Sequence, residues 1–179
     1  MNHSFNFFTP TQLIFGSGRL EELKEVAPKY GSKCLLVCRP LEGSLKLTYQ
    51  RVENLLNSVN VEVVFFDEII PNPTIEGIEK GVITAVKNQV DFVLGVGGGS
   101  VMDSAKLIAL LHNPEGVINW GKALISYDHP FNYVASKQHT LPFIAVSTTS
   151  GTGSQCTQAA VISDNQKKEK ITLFHLDLF

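Results

Sequence analysis

Asp91-Phe92-Val93-Leu94-Gly95-Val96-Gly97-Gly98-Gly99-Ser100-Val101-Met102-Asp103-Ser104-Ala105-Lys106 is the stretch on which the fold turns. Asp91 to Val96 is a short apolar run, the pattern of a strand buried on both faces. From Ser100 the sequence reads as a helix extending to residue 112, and three glycines separate strand from helix. Glycines let the backbone turn sharply and let a bulky anion approach its N–H groups. A helix N-terminus adds free donors and the positive end of the dipole. Gly97, Gly98, Gly99 and Ser100 are therefore expected to hold a pyrophosphate. Ser100 is a natural N-cap, and Asp103 stands where a capping-box acid would. Capping alone would explain those two residues but not three consecutive glycines. Gly95-x-Gly97-x-x-Ser100 nearly matches the G-x-G-x-x-G/A dinucleotide fingerprint, but it follows the third strand. The acid expected about 20 residues later is missing; Asn119 and Trp120 stand near that position.

Outward from this unit, apolar runs alternate with helical patterns. Cys34–Cys38, Val61–Phe66 and Phe143–Val146 read as further strands, and 18–29, 45–58 and 74–89 as further helices. In the last of these, Ile75, Ile78, Val82, Ala85 and Val86 share one helical face. Thr74, after the breaker cluster Pro71-Asn72-Pro73, can cap it. This order predicts an α/β fold of the Rossmann-like, doubly wound kind: a parallel sheet with helices on both faces. Ligands of such sheets bind beyond the carboxyl ends of the strands. Three less regular regions complete the chain. The first 16 or so residues, with Phe5, Phe7, Phe8, Leu13, Ile14 and Phe15, suggest an added strand pair. Val161-Ile162 and Ile171–Phe174 suggest a hairpin around the Asp164-Asn165 turn, and Asn113–Thr140 reads as an irregular surface excursion. The apolar finish, Ile171 to Phe179, has strand character, whereas domains usually end in polar residues. The sequence therefore reads as one dinucleotide-binding domain, 1–179, cut short of a second domain.

Composition excludes several classes. The 179 residues carry a formal net charge of −2, and Lys167, Lys168 and Lys170 are interrupted by Glu169, so this run reads as a solvated turn and not as a nucleic-acid surface. No apolar stretch approaches the roughly 18 residues of a membrane helix, and Met1–Thr9 lacks the pattern of a secretory signal. Cys34, Cys38 and Cys156 form no C-x-x-C pair, and their odd number argues against a disulfide framework. A reducing cytoplasm is the expected location.

A second polar cluster, Ser147-Thr148-Thr149-Ser150-Gly151-Thr152-Gly153-Ser154, follows the fourth strand. Alone it could be an ordinary Ser/Thr loop. Two glycine-containing polar loops at the same edge of one sheet predict a cofactor crevice. Gly116–Ala123 resembles a P-loop, but Ala123 replaces the magnesium-binding hydroxyl and no strand precedes it. His3, His112, His129, His139 and His175 match no metal-ligand spacing, and G-x-S-x-G is absent.

Taken in order, four of these segments resemble the iron-containing (group III) alcohol dehydrogenases. Phe15-Gly16-Ser17-Gly18 with Leu20 and Leu23 is similar to the family's F-G-x-G-x-L segment. Pro71–Thr74 is similar to its P-N-P-T turn, Gly97–Lys106 to G-G-G-S-x-x-D-x-A-K, and Thr148–Ser154 to T-T-[SA]-G-T-G-S. The resemblance implies reversible hydride transfer between an alcohol or aldehyde and NADP or NAD, with iron or zinc as Lewis acid. It implies that Gly98, Gly99 and Ser100 hold the pyrophosphate and that Asp103 lies at the nicotinamide end, as the catalytic candidate. Thr148, Thr149 and Thr152 would contact phosphate, ribose or adenine. Lys170 would approach the nicotinamide ribose, and Asn72 would border the cofactor. The family's metal ligands, an aspartate and three histidines, lie in a downstream all-helical domain whose D-A-x-x-H-type motif is absent here, so no residue of this chain is assigned to the metal. Gln155 and Leu176 depart from the family's usual Glu and Pro. Arg39 stands where NAD-preferring members often carry Asp; an arginine there attracts a 2′-phosphate and favours NADP. Expected partners are a small alcohol or aldehyde and a second copy of the chain, with neither nucleic acid nor membrane. A non-catalytic, self-associating dinucleotide-binding module and a glycerol-dehydrogenase-like enzyme are the alternatives.

Overall fold

The structure, a computed structural model, describes residues 4, 8–126, 128 and 140–179. Four parallel strands, β1 (Lys33–Val37), β2 (Glu62–Phe66), β3 (Phe92–Gly97) and β4 (Phe143–Ser147), form a sheet in the order β2-β1-β3-β4. Side-chain alternation along β1 explains why helices cover both faces. Leu35 and Val37 join a cluster with Ile78, Val82 and Ala85 of α3 (Ile75–Asn88) and with Met102, Ala105 and Ile108 of α4 (Gly99–Leu111). Cys34, Leu36 and Cys38 join a second cluster. Its partners are Leu23 of α1 (Leu23–Val26), all that is α-helical of the helix expected over 18–29, with 3-10 turns on either side, and Tyr49, Val52 and Leu56 of α2 (Lys46–Asn57). The doubly wound architecture is thus the one the apolar runs predict.

The connection after β1 leads outward to β2, whereas that after β3 leads the other way to β4. β1 and β3 therefore flank the topological switch point, where sheets of this kind bind ligands. Asp91 sets the start of this central pair: its Oδ2 accepts from Ser32 N at 2.7 Å and Lys33 N at 2.9 Å. Thr74 caps α3 as expected, Oγ1 accepting from Gly77 N at 3.2 Å. The C-terminal hairpin also forms. β5 (Ala159–Asp164) pairs antiparallel with β6 (Glu169–Phe174), and Asp164 Oδ1 accepts from Gln166 N and Lys167 N to shape the turn.

Three expectations need correction. No strand forms between Phe8 and Phe15; Phe8, Leu13 and Phe15 are largely exposed, and the ring of Phe8 meets that of Phe179 edge-on, less apolar burial than a strand pair requires. Phe5 and Phe7 lie outside the described residues. The excursion after residue 112 contains a helix, α5 (Trp120–Ser126), held to α3 by Trp120 Nε1 donating to Glu79 Oε1 at 2.8 Å. Residues 127 and 129–139 of that excursion lie outside the described set. Third, Ser100 is not the N-cap of α4. Gly98 occupies that position without any side-chain cap, and Ser100 lies within the helix, where its carbonyl accepts from Ser104 Oγ at 2.8 Å.

Candidate functional site

The glycine turn begins where β3 ends. Val101 N and Met102 N both donate to Gly98 O at 3.0 Å, so the helix starts within the turn itself. The two polar loops of the sequence meet there. A Cβ built on Gly98 would lie 3.0 Å from Thr149 Oγ1, and one on Gly99 would lie 2.9 Å from Thr152 Cγ2. Thr148 N donates to Gly97 O at 2.9 Å and fixes the second loop against the first. With no side-chain cap and no Cβ at Gly98 or Gly99, the start of α4 leaves the N–H groups of Gly99 and Ser100 for a ligand oxygen, those of Val101 and Met102 being bonded to Gly98 O.

A cleft of about 520 Å³ opens from this turn; Asn72, Gly99, Ser100, Asp103, Thr152 and Lys170 are among the residues that line it. Six candidates separated by up to 98 positions in sequence thus share one concavity. Its far side is closed by the Pro71–Thr74 turn, which bridges to the hairpin through Ser163 N donating to Pro73 O at 2.8 Å. Lys170 Nζ donates to Asn72 Oδ1 at 3.0 Å across the mouth. Asn72 adopts a left-handed φ of 56°, a conformation that asparagine tolerates better than most residues. The remaining candidates are placed differently. Thr148 and Thr149 line an adjoining cleft of about 550 Å³ with Gln155 and the Leu13–Gly16 segment. Arg39 is exposed just past the carboxyl end of β1, on the other side of the switch point from the glycine turn.

Asp103 does not serve as a capping-box acid. Its Oδ1 accepts from Ser154 Oγ at 2.5 Å and its Oδ2 from Val161 N at 3.1 Å, so it ties α4 to the β4–β5 connection and to β5. One helical turn later is a residue to which the sequence reading gave no role. Lys106 is 1% exposed, and its Nζ donates to the carbonyls of Ser154 (2.7 Å), Thr157 (2.8 Å) and Ala159 (2.6 Å). Burial lowers its pKa from the ordinary 10.5 to about 8, with the Asp103 carboxylate and then Cys156 opposing the shift. Its signal in the sequence is a single cation inside Ala105-Lys106-Leu107-Ile108-Ala109-Leu110, three residues after an acid on the same helix.

The glycine turn, its uncapped helix and the flanking hydroxyls fit a phosphate-bearing cofactor. The same is not true of a metal. Among the described residues no three of His, Cys, Asp and Glu converge as a ligand set. No helix among them is long and apolar enough to cross a membrane.

The family model for iron-containing alcohol dehydrogenases matches residues 10–179. This chain belongs to the iron-containing alcohol dehydrogenase family. It is 34% identical over 177 residues to the NADH-dependent butanol dehydrogenase A of Clostridium acetobutylicum, covering 98% of this chain and 43% of that protein. It is 32% identical over 174 residues to alcohol dehydrogenase 4 of Saccharomyces cerevisiae, covering 97% and 43%. Among solved structures, an archaeal halo-thermophilic alcohol dehydrogenase from a Red Sea brine pool superposes with a TM-score of 0.85 at 33% identity, covering 100% of this chain and 45% of that one. The NADH-dependent butanol dehydrogenase A of Thermotoga maritima superposes with a TM-score of 0.80 at 32% identity, covering 98% and 42%. The chain therefore spans less than half the length of these relatives. In this member of the alcohol dehydrogenase family, the buried Oε1 of Gln155 has no hydrogen-bond partner among the described residues.

Proposed function

We propose that this chain is the dinucleotide-binding part, residues 1–179, of a metal-dependent alcohol dehydrogenase. The reaction is reversible hydride transfer between a small alcohol and its aldehyde, with NADP or NAD as the partner in transfer. The observation that carries the reading is the convergence of an uncapped, glycine-led helix with two polar loops at one sheet edge. In this reading the N–H groups of Gly98, Gly99 and Ser100 hold the pyrophosphate, and Gly97 admits it to the turn. Thr148, Thr149 and Thr152 supply hydroxyls to phosphate and ribose. Lys170 and Asn72 close over the nicotinamide ribose, their mutual hydrogen bond exchanging for bonds to the ribose hydroxyls. Asp103 stands at the nicotinamide end. Both its oxygens already accept hydrogen bonds, so we assign it to orienting the cleft wall and not to proton transfer. We assign the iron or zinc to no described residue, since none of them form a ligand cluster, and a cytoplasmic location accords with three free cysteines.

Relatives named as NADH-dependent make NAD one reading of the cofactor. An exposed Arg39 past β1 favours NADP, because a guanidinium pairs with a 2′-phosphate that an aspartate would repel. Calorimetric titration of the chain with NADPH and NADH tests both levels. NADPH should bind about tenfold more tightly, and Arg39→Asp should reverse the order. Equal affinities unaffected by the substitution would remove Arg39 from the site, and no binding of either cofactor at millimolar concentration would remove the site itself.

A further inference from the structure

We propose that Lys106 is a positioning residue for cofactor binding: from beneath the cleft its ammonium holds the wall running from Ser154 to Ala159 in register with the glycine turn. The inference rests on the dinucleotide reading given above.

Lys106 cannot touch a ligand directly, since it is 1% exposed, and its three ammonium hydrogens are matched by three backbone carbonyls. Those carbonyls belong to a short 3-10 turn (Ser154–Cys156), to Thr157 just after it and to Ala159, the first residue of β5, so the lysine fixes a segment with little regular structure against the start of the hairpin. The same segment lines the cleft through Ser154, Thr157 and Ala159, opposite Gly99 and Ser100. Asp103 reinforces it from the same helix face, holding Ser154 Oγ and Val161 N. The wall therefore depends on two opposite charges three residues apart on α4. Charge-assisted bonds of this kind are stronger than neutral ones and give fixed geometry. The charge matters a second way. With Lys106 protonated, the Asp103–Lys106 pair is neutral overall; without that proton the Asp103 charge is no longer compensated from beneath the cleft and opposes a pyrophosphate, with Lys170 at Asn72 as the remaining cation of the lining. Loss of the proton thus slackens the wall and opposes the anion together. The groups acting on this amine are Asp103 on its own helix and Cys156 on the packed turn, and its pKa of about 8 puts the change in an accessible range.

The test is the affinity of the chain for NADPH and NADH from pH 7 to 9.5, for wild type and Lys106→Met, with circular dichroism confirming the fold of each. Wild-type affinity should fall by about tenfold across this range, whereas Lys106→Met should bind about tenfold more weakly at pH 7 and lose the pH dependence. A lysine that served stability alone would change the melting temperature and leave both readings unmoved. A folded Lys106→Met with wild-type affinity overturns the proposal. Should that variant fail to fold, the wild-type profile decides, and a flat one overturns it. If wild type binds neither cofactor, the dinucleotide reading fails and this proposal with it; binding indifferent to pH and to Lys106 removes only the proposal.

Discussion

Lys106 links charge to stability with a sign opposite to its effect on binding. Its pKa is about 8 in the folded chain against 10.5 for the free amine. Between those values the unfolded chain still holds a proton that the folded chain has released. Stability rises with pH wherever the unfolded state binds more protons, so this group's contribution increases from about pH 8 to 10.5. Below pH 8 both states are charged, and the cost of burying the ammonium is fully present. Urea denaturation of wild type and Lys106→Met at pH 7 and 9.5 should show the difference moving in favour of wild type by about 1 to 2 kcal/mol. An unchanged difference would mean that the amine keeps its ordinary pKa. The cysteines offer a second check at this scale. Cys34 and Cys38 are fully buried, and desolvation raises both thiols to about 12, whereas Cys156 is only partly buried. Reactivity follows the thiolate. A disulfide reagent at pH 8 should therefore titrate one thiol in the native chain and three in denaturant; rapid reaction of three in the native chain would contradict the buried placement.

At the scale of elements, α3 and α4 approach closely because Gly81 has no side chain. A Cβ there would lie 2.2 Å from Ile108 Cδ1 and 3.2 Å from Phe66 Cε1. Gly81→Ala should cost about 1 to 3 kcal/mol through overpacking, despite alanine's better helix propensity. Thermal unfolding measures this, and a stabilised variant would show that the helices can separate without loss. Elements of this kind were largely legible in the sequence. The strands and three long helices follow from apolar period, and the Thr74 cap and the Asp164 turn follow from local side-chain chemistry. What escaped has physical causes. The Phe-rich start has strand composition, but among the described residues it pairs with no other strand, and composition does not reveal that. Ser100 was misplaced as a cap because the helix begins one residue earlier than its best capping residue, a boundary that glycines blur. The cleft combines Asn72, Ser100 and Lys170, and their motifs could name them individually. The hydrogen bond between Lys170 and Asn72 and the three carbonyls around Lys106 exist only after the hairpin folds onto α4.

For the whole molecule, the question is whether the two helical layers are separable. β1 gives alternate side chains to both clusters, and β3 does likewise, with Val93 on one side and Phe92, Leu94 and Val96 on the other. Loss of either layer would expose one full face of the same two strands. Hydrophobic burial on each face therefore depends on the other, and the chain should unfold as one cooperative unit. Its single tryptophan tests this from an unfavourable position. Trp120 sits on the short helix α5, packs against the core cluster on the α3–α4 face of the sheet and is tied to α3 through Glu79. Far-ultraviolet circular dichroism reports helices of both layers, whereas Trp120 fluorescence reports one layer at its edge. In urea the two transitions should share a midpoint and slope. A fluorescence change that precedes the dichroism change and leaves α-helical signal intact would make α5 a separately melting element. A dichroism change in two steps would mean that the sheet can hold one helical layer without the other, and the mutual dependence argued from β1 and β3 would not hold.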